Sequence, residues 1–182
     1  METLMLFSML AFADPSTVAK ALAPGDPLPV LSGQFLTGKK AELPAAAGGK
    51  VALLAIGFSY DSRFAVEAWS NRFRKDFARS PKATFFEIPM ISGMARMAKW
   101  FIDSGMRRGT PKELRENVIT VYGGVDPWKQ RLGFENDKDA HLIVIDANGV
   151  VRWVHNERGD LGEAKYAEMK AIVEELLSVT KK

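Results

Sequence analysis

The apolar positions of this chain change period several times, and each change marks an element. Val51 to Phe58 reads Val-Ala-Leu-Leu-Ala-Ile-Gly-Phe, an almost unbroken apolar run that predicts a strand covered on both faces. Ser62 to Phe77 then takes helical spacing, with Val66, Trp69, Phe73 and Phe77 on one stripe. Ala83 to Ile88 predicts a second strand, stopped by Pro89, because proline has no N–H to give a ladder. Gly93 to Ser104 is helical again through Met94, Met97, Ala98, Phe101 and Ile102. Gly105 to Thr110 predicts a loop, and Pro111 opens a short helix to Glu116. Val118 to Tyr122 predicts a third strand, Pro127 to Leu132 a helical turn, and His141 to Ile145 a fourth strand. Asp146-Ala147-Asn148-Gly149 carries the Asn-Gly signal of a type I′ turn, with Val150 to Val154 returning antiparallel. Glu163 to Val179 closes the chain as an amphipathic helix, with Tyr166, Met169, Ile172, Val173, Leu176 and Leu177 inward.

Upstream, Gly33 to Leu43 predicts a hairpin turning at Thr37-Gly38-Lys39, and Pro44 to Gly49 is a small-residue linker. Asp14 to Ser32, with Pro15, Pro24, Pro27 and Pro29, predicts an extended lead-in. Leu4 to Ala13 has the length of a signal-peptide core, and Ala11-Phe12-Ala13 fits a cleavage site. An absent basic residue and an acidic Glu2 ahead of that core count against export. The expectation is a signal peptide over 1–13 and a periplasmic or otherwise extracytoplasmic domain over 33–182, with a cytoplasmic protein carrying an apolar tail as the alternative. Strands alternating with helices predict an α/β domain: a central mixed sheet, helices on both faces and an N-terminal β-hairpin.

Composition narrows the chemistry. With 182 residues, 47% hydrophobic and 26% charged, the chain can bury one domain core. A net charge of +3 is too small to argue for nucleic acid. Its distribution is uneven, however: Arg63 to Arg115 holds twelve Lys or Arg against five Asp or Glu, enough to steer an acidic partner or an anionic lipid surface. There is no cysteine, which closes thiol–disulfide exchange and cysteine peroxidase chemistry. His141 and His155 lie on successive strands without a third ligand at metal spacing. No phosphate-binding loop or nucleophile elbow follows a strand. No cofactor, metal or catalytic residue is therefore expected.

The order of elements resembles thioredoxin. In that family the redox cysteines stand where a central strand runs into a helix, whose free N–H groups stabilise a thiolate. From Val51 the chain resembles thioredoxin-like reductases and peroxiredoxins, with Tyr60 at an aromatic position and Asp61 and Phe64 where the family has its two cysteines. Where the family carries a cis-proline before the penultimate strand, this chain has Asp139-Ala140-His141. Asp61 and Ser62 are expected as helix N-caps, or Tyr60, Asp61, Ser62 and Arg63 as a polar recognition patch.

Gly57-Phe58-Ser59, Arg63, Trp69, the run His141 to Asp146 and the pair Arg152-Trp153 resemble a narrower group, the mitochondrial ATP synthase assembly factors (the Atp-ten family). That resemblance implies a chaperone for a membrane-embedded client such as an ATP synthase subunit, and brings no catalytic residues. Met90, Met94, Met97 and Met106, interleaved with Arg96, Lys99, Trp100, Phe101, Arg107 and Arg108, suit a docking surface for a client or an anionic membrane. Arg152 and Trp153 alternate across a strand, so one is expected packed and the other solvated. The candidate binding residues are Tyr60, Asp61, Ser62, Arg63, Arg96, Arg107, Arg108, Arg152 and Trp153. The alternative is an enzyme of non-thiol chemistry built around Tyr60, Asp61, Arg63 and Arg152.

Overall fold

The computed structural model describes residues 19–92, 98–159 and 161–179. The expected signal peptide, Arg96, Met94 and Met97 lie outside them. The elements run β1 (Leu31–Phe35), β2 (Lys40–Leu43), β3 (Val51–Gly57), α1 (Arg63–Phe77), β4 (Ala83–Ile91), α2 (Lys99–Gly109), β5 (Ile119–Tyr122), α3 (Val125–Arg131), β6 (Asp139–Ile145), β7 (Val151–Arg158) and α4 (Glu163–Val179). Among the described residues no helix is long and apolar enough to cross a membrane.

One seven-stranded sheet has the order β2-β1-β5-β4-β3-β6-β7. β3, β4 and β5 are parallel, whereas β1, β2, β6 and β7 join antiparallel. All seven residues of β3 are buried, which is why its sequence shows no alternation. Leu53, Val144 and Trp153 face α1 and α4, packing on Trp69, Phe73, Tyr166 and Met169. Leu54, Ile88 and Ile143 face the other way, onto Trp128, Val125 and Leu132 of the α3 segment. The N-terminal lead-in is stitched to that side: Leu22 N–H donates to Arg131 O at 2.9 Å, and Leu28 N–H to Gly149 O at 2.9 Å.

Three local expectations are corrected. β4 does not stop at Pro89 but runs to Ile91, pairing with β3 from Val51↔Ala83 to Gly57↔Pro89. Towards β5 there is a bridge at Glu87↔Val118, and pairing resumes at Met90↔Val121. Pro89 sits in that gap, where its missing donor removes no ladder bond. The β6–β7 turn is not type I′, which needs positive φ at both central residues. Only Gly149 (φ 77°) has it; Gly149 N–H donates to Asp146 O, and Asp146 N–H to Val150 O, with a bulge near Ile145. Finally, α2 continues through Gly105 to Gly109 rather than ending in a loop. The Arg115 guanidinium caps it from outside, donating to Arg107 O at 2.5 Å and Thr110 O at 3.2 Å.

α2 is held by polar contacts. Its one buried residue is Asp103, which accepts from Tyr122 Oη at 2.6 Å and Lys99 Nζ at 2.9 Å. Lys99 also reaches Gln34 at 2.9 Å. Burial, and then the Asp103 carboxylate, push the Tyr122 phenol well above its ordinary range, so the hydroxyl keeps its proton and stays a donor.

Candidate functional site at the carboxyl end of the parallel strands

The junction between β3 and α1 is fixed by two serines. Ser59 Oγ accepts from Asp61 N–H at 3.1 Å and Ser62 N–H at 3.2 Å, and donates to Asp137 O at 2.5 Å. Ser62 is fully buried; its hydroxyl donates to Ser59 O at 2.8 Å and accepts from Ser59 N–H at 3.3 Å. Neither Asp61 nor Ser62 caps α1 in the way the sequence suggested: Ser62, in the cap position, makes no side-chain cap bond and is itself helical in φ and ψ. Ser59 does that work instead, three residues earlier than Ser62. Gly57 makes room for the arrangement, because a Cβ there would collide with Ser62 Oγ.

This lock turns the following side chains outward. Tyr60 is 71% exposed and Phe64 58% exposed, and Asp61 and Arg63 are exposed beside them. The Arg63 guanidinium lies 4.0 Å from the Tyr60 ring centroid and 4.6 Å from that of Phe64, so one cation bridges two aromatic rings. A carboxylate and a phenyl ring therefore stand, solvated, where the resemblance places sulfur.

Next to them opens a cleft of about 540 Å³ between the start of α1 and the C-terminal half of α2. Tyr60, Arg63, Val66 and Glu67 line one wall, and Gly105, Met106, Gly109 and Thr110 the other. Glu87, Pro89 and Val118 form the floor. The polar mounting of α2 leaves this space unfilled. Glu87 is the residue that sequence reasoning missed. It is half-buried, and the Ser70 hydroxyl donates to its Oε1. Burial raises the Glu87 carboxyl above the usual carboxylate range; the Ser70 bond works against the rise, and the Glu67 charge adds to it. The signal was a lone acid inside the apolar run Thr84-Phe85-Phe86-Glu87-Ile88.

The structure joins some of the candidate residues and separates others. Tyr60 and Arg63 line the cleft, whereas Arg107 and Arg108, although next to Met106 and Gly109 in α2, do not. Arg107 Nη2 reaches Ser104 Oγ at 3.3 Å, and Arg108 Nε reaches Ser104 O at 3.4 Å. Ser62 is internal. Arg152 is at the opposite end of the sheet, since Ala52 pairs with Ile145 there while Gly57 pairs with Ala140 at the cleft end. Its Nε donates to Asp146 Oδ2 at 2.8 Å, clamping the β6–β7 turn. Burial opposes the Asp146 charge, but the Val150 N–H and Arg152 hold it below the usual range. Trp153 is 5% exposed, packed 5.7 Å from the Trp69 centroid and donating to Glu168 at 2.9 Å. It is core and is not presented to a partner. The constellation of Tyr60, Asp61, Arg63 and Arg152 does not converge.

The two histidines lie on opposite faces, because Leu142 pairs with His155 and His141 with Asn156. His141 is fully buried. Its Nδ1 is 2.8 Å from Asn156 Oδ1, and Phe58 stands edge-on at 5.2 Å. Burial lowers its pKa. Among the described residues no group of three possible metal ligands forms.

No protein-family model matches the sequence, and no curated protein matches it. Solved structures do. A thiol peroxidase from Chromobacterium violaceum superposes with a TM-score of 0.56 at 16% identity, covering 87% of this chain and 90% of its own. A peroxiredoxin-like protein from Aquifex aeolicus gives 0.52 at 15% identity, covering 85% and 90%. The thioredoxin domain of a thiol-disulfide oxidoreductase from Bacteroides vulgatus gives 0.51 at 18% identity, covering 84% and 99%. At such identities the likeness is one of fold: this is a thioredoxin-like α/β domain, and it carries no cysteine.

Proposed function

We propose that this thioredoxin-like chain is a binding protein without redox activity, which holds a protein client in the cleft between α1 and α2. One observation carries the reading. At the end of β3, where a thioredoxin-like protein would present sulfur, this chain keeps an open cleft and rims it with Tyr60 and Arg63, the exposed Phe64 lying against Arg63 from outside. Exposed aromatic and arginine side chains around a partly apolar concavity are the composition of interface hot spots. Glu87, whose carboxyl burial raises above its ordinary range, places a polar group at the floor. The resemblance to ATP synthase assembly factors supports a chaperone or assembly role with a membrane-embedded client such as an ATP synthase subunit, and the signal-like run Leu4 to Ala13 supports an extracytoplasmic location.

The test is site-specific photo-crosslinking in cells that make the protein. A crosslinker replacing Tyr60 is expected to capture a reproducible client, which a second crosslinker at Met106 captures as well. One at Lys75, exposed towards the far end of α1, should not. Equal capture from Lys75 and Tyr60, or no capture from either cleft wall, removes the proposal.

A further inference from the structure

Among the described residues, the exposed large apolar side chains are Val30, Tyr60, Phe64, Trp100, Phe101 and Val179. The four aromatic ones lie in the β3–α1 junction (Tyr60), α1 (Phe64) and α2 (Trp100 and Phe101), the segments flanking the cleft. Tyr60 and Phe64 are tied up with Arg63. Trp100 and Phe101 are the most conspicuous of the remainder, 78% and 67% exposed, on the first turn of α2.

The helix explains why they stay exposed. The exposed positions of α2 are Trp100, Phe101, Gly105, Arg108 and Gly109; the two glycines line the cleft, whereas seven-residue spacings align Trp100 with Arg107 and Phe101 with Arg108 on one outward stripe. The inward side is fastened through Asp103, Lys99 and Tyr122, so α2 adds no large apolar side chain to the core. The outward stripe ends in Arg107 and Arg108 in the last turn. Neither has a carboxylate partner among the described residues: both reach only Ser104.

We propose that the outer face of α2 docks on an anionic lipid surface, with Trp100 and Phe101 entering the headgroup boundary and Arg107 and Arg108 binding lipid phosphates. Charge complementarity and shape favour this occupant. The two aromatics project outward, 78% and 67% exposed, so a rigid protein partner would need a matching pocket, whereas a fluid headgroup layer deforms around them. Indole has an apolar body with one N–H donor, the chemistry that settles at such a boundary. A guanidinium gives a phosphate two parallel hydrogen bonds. The docking face is separate from the cleft-facing side of α2, so it does not depend on the client reading.

Vesicle sedimentation with the full chain tests this. The protein should bind phosphatidylcholine vesicles containing phosphatidylglycerol, bind pure phosphatidylcholine far less, and be released by salt. Each arginine contributes about a fivefold gain in affinity for such a surface, so Arg107→Glu/Arg108→Glu should weaken binding by at least about thirtyfold. Trp100→Ser/Phe101→Ser should abolish it while leaving the thermal transition unchanged, because neither side chain is buried. Of the four tryptophans, Trp69, Trp128 and Trp153 are buried, so the Trp100 emission should shift to the blue on vesicles and lose access to acrylamide. Absence of binding to anionic vesicles, equal binding to pure phosphatidylcholine, or binding that survives both double variants overturns the proposal. So does capture of a protein on this face with no vesicle binding.

Discussion

Gly57→Ala probes the lock that sets the rim. Gly57 is an ordinary strand residue with no positive φ, so its requirement is for space. The added methyl would collide with Ser62 Oγ, while its contact with Val66 Cγ2, at 3.4 Å, is ordinary. Ser62 cannot swing away freely, since it is fully buried and bonded to both backbone groups of Ser59. Replacing glycine inside a strand returns about 0.5–1 kcal/mol of backbone entropy. Against that stand overpacking, about 1–3 kcal/mol, and the Ser62–Ser59 bonds, about 0.5–1.5 kcal/mol each. The net loss expected is about 1–5 kcal/mol, which in a domain of this size lowers Tm by roughly 2–4 °C per kcal/mol. Urea and thermal melts of Gly57→Ala, Ser62→Ala and the double variant close a cycle. Ser62→Ala removes the clashing atom, so the double variant should be more stable than the sum of the single losses by about 1 kcal/mol. Additive losses, or a Gly57→Ala variant as stable as the parent, would refute the steric account of the junction.

Other consequences follow from groups held in unusual surroundings. Glu87 has its folded pKa raised above 4.5, so the folded chain holds that proton more tightly than the unfolded one. Stability should decline as pH rises from about 4.5 through the folded value; Glu87→Gln should lose this slope and exceed the parent at neutral pH in urea titrations. His141 has its folded pKa lowered from 6.5, so the unfolded chain protonates first as pH falls. Its contribution is complete above 6.5 and disappears on descending to the folded value, and His141→Gln should flatten that limb of the same titration. Arg152→Ala removes the two guanidinium N–H groups that both donate to Asp146 Oδ2. A loss of about 1–3 kcal/mol is expected, with no change in crosslinking from position 60.

The sequence conveyed the frame because burial writes itself into period. The seven buried residues of β3 read as a continuous apolar run, and α4 begins at Glu163 and ends at Val179, where its stripe does. Features settled by distant partners did not show. The glycines at 105 and 109 looked like a loop because Arg115, which satisfies the end of α2, comes from the following segment. Asp61 looked like the cap, but the preference of Ser59 for both Asp61 and Ser62 N–H groups, anchored on Asp137 far along the chain, decided otherwise. Arg152 and Trp153 looked like recognition residues because alternation alone does not say which face is covered. The cleft itself follows from how α2 is mounted, a tertiary fact without a local pattern.

The most direct measurement is a titration of the purified chain against the client captured at position 60. Tyr60→Ala/Arg63→Ala should weaken that complex by about tenfold or more, as loss of an aromatic–arginine hot spot does, while Arg152→Ala binds as the parent does. Unchanged affinity for the rim variant would mean that the cleft end of the sheet is not where this protein holds its partner.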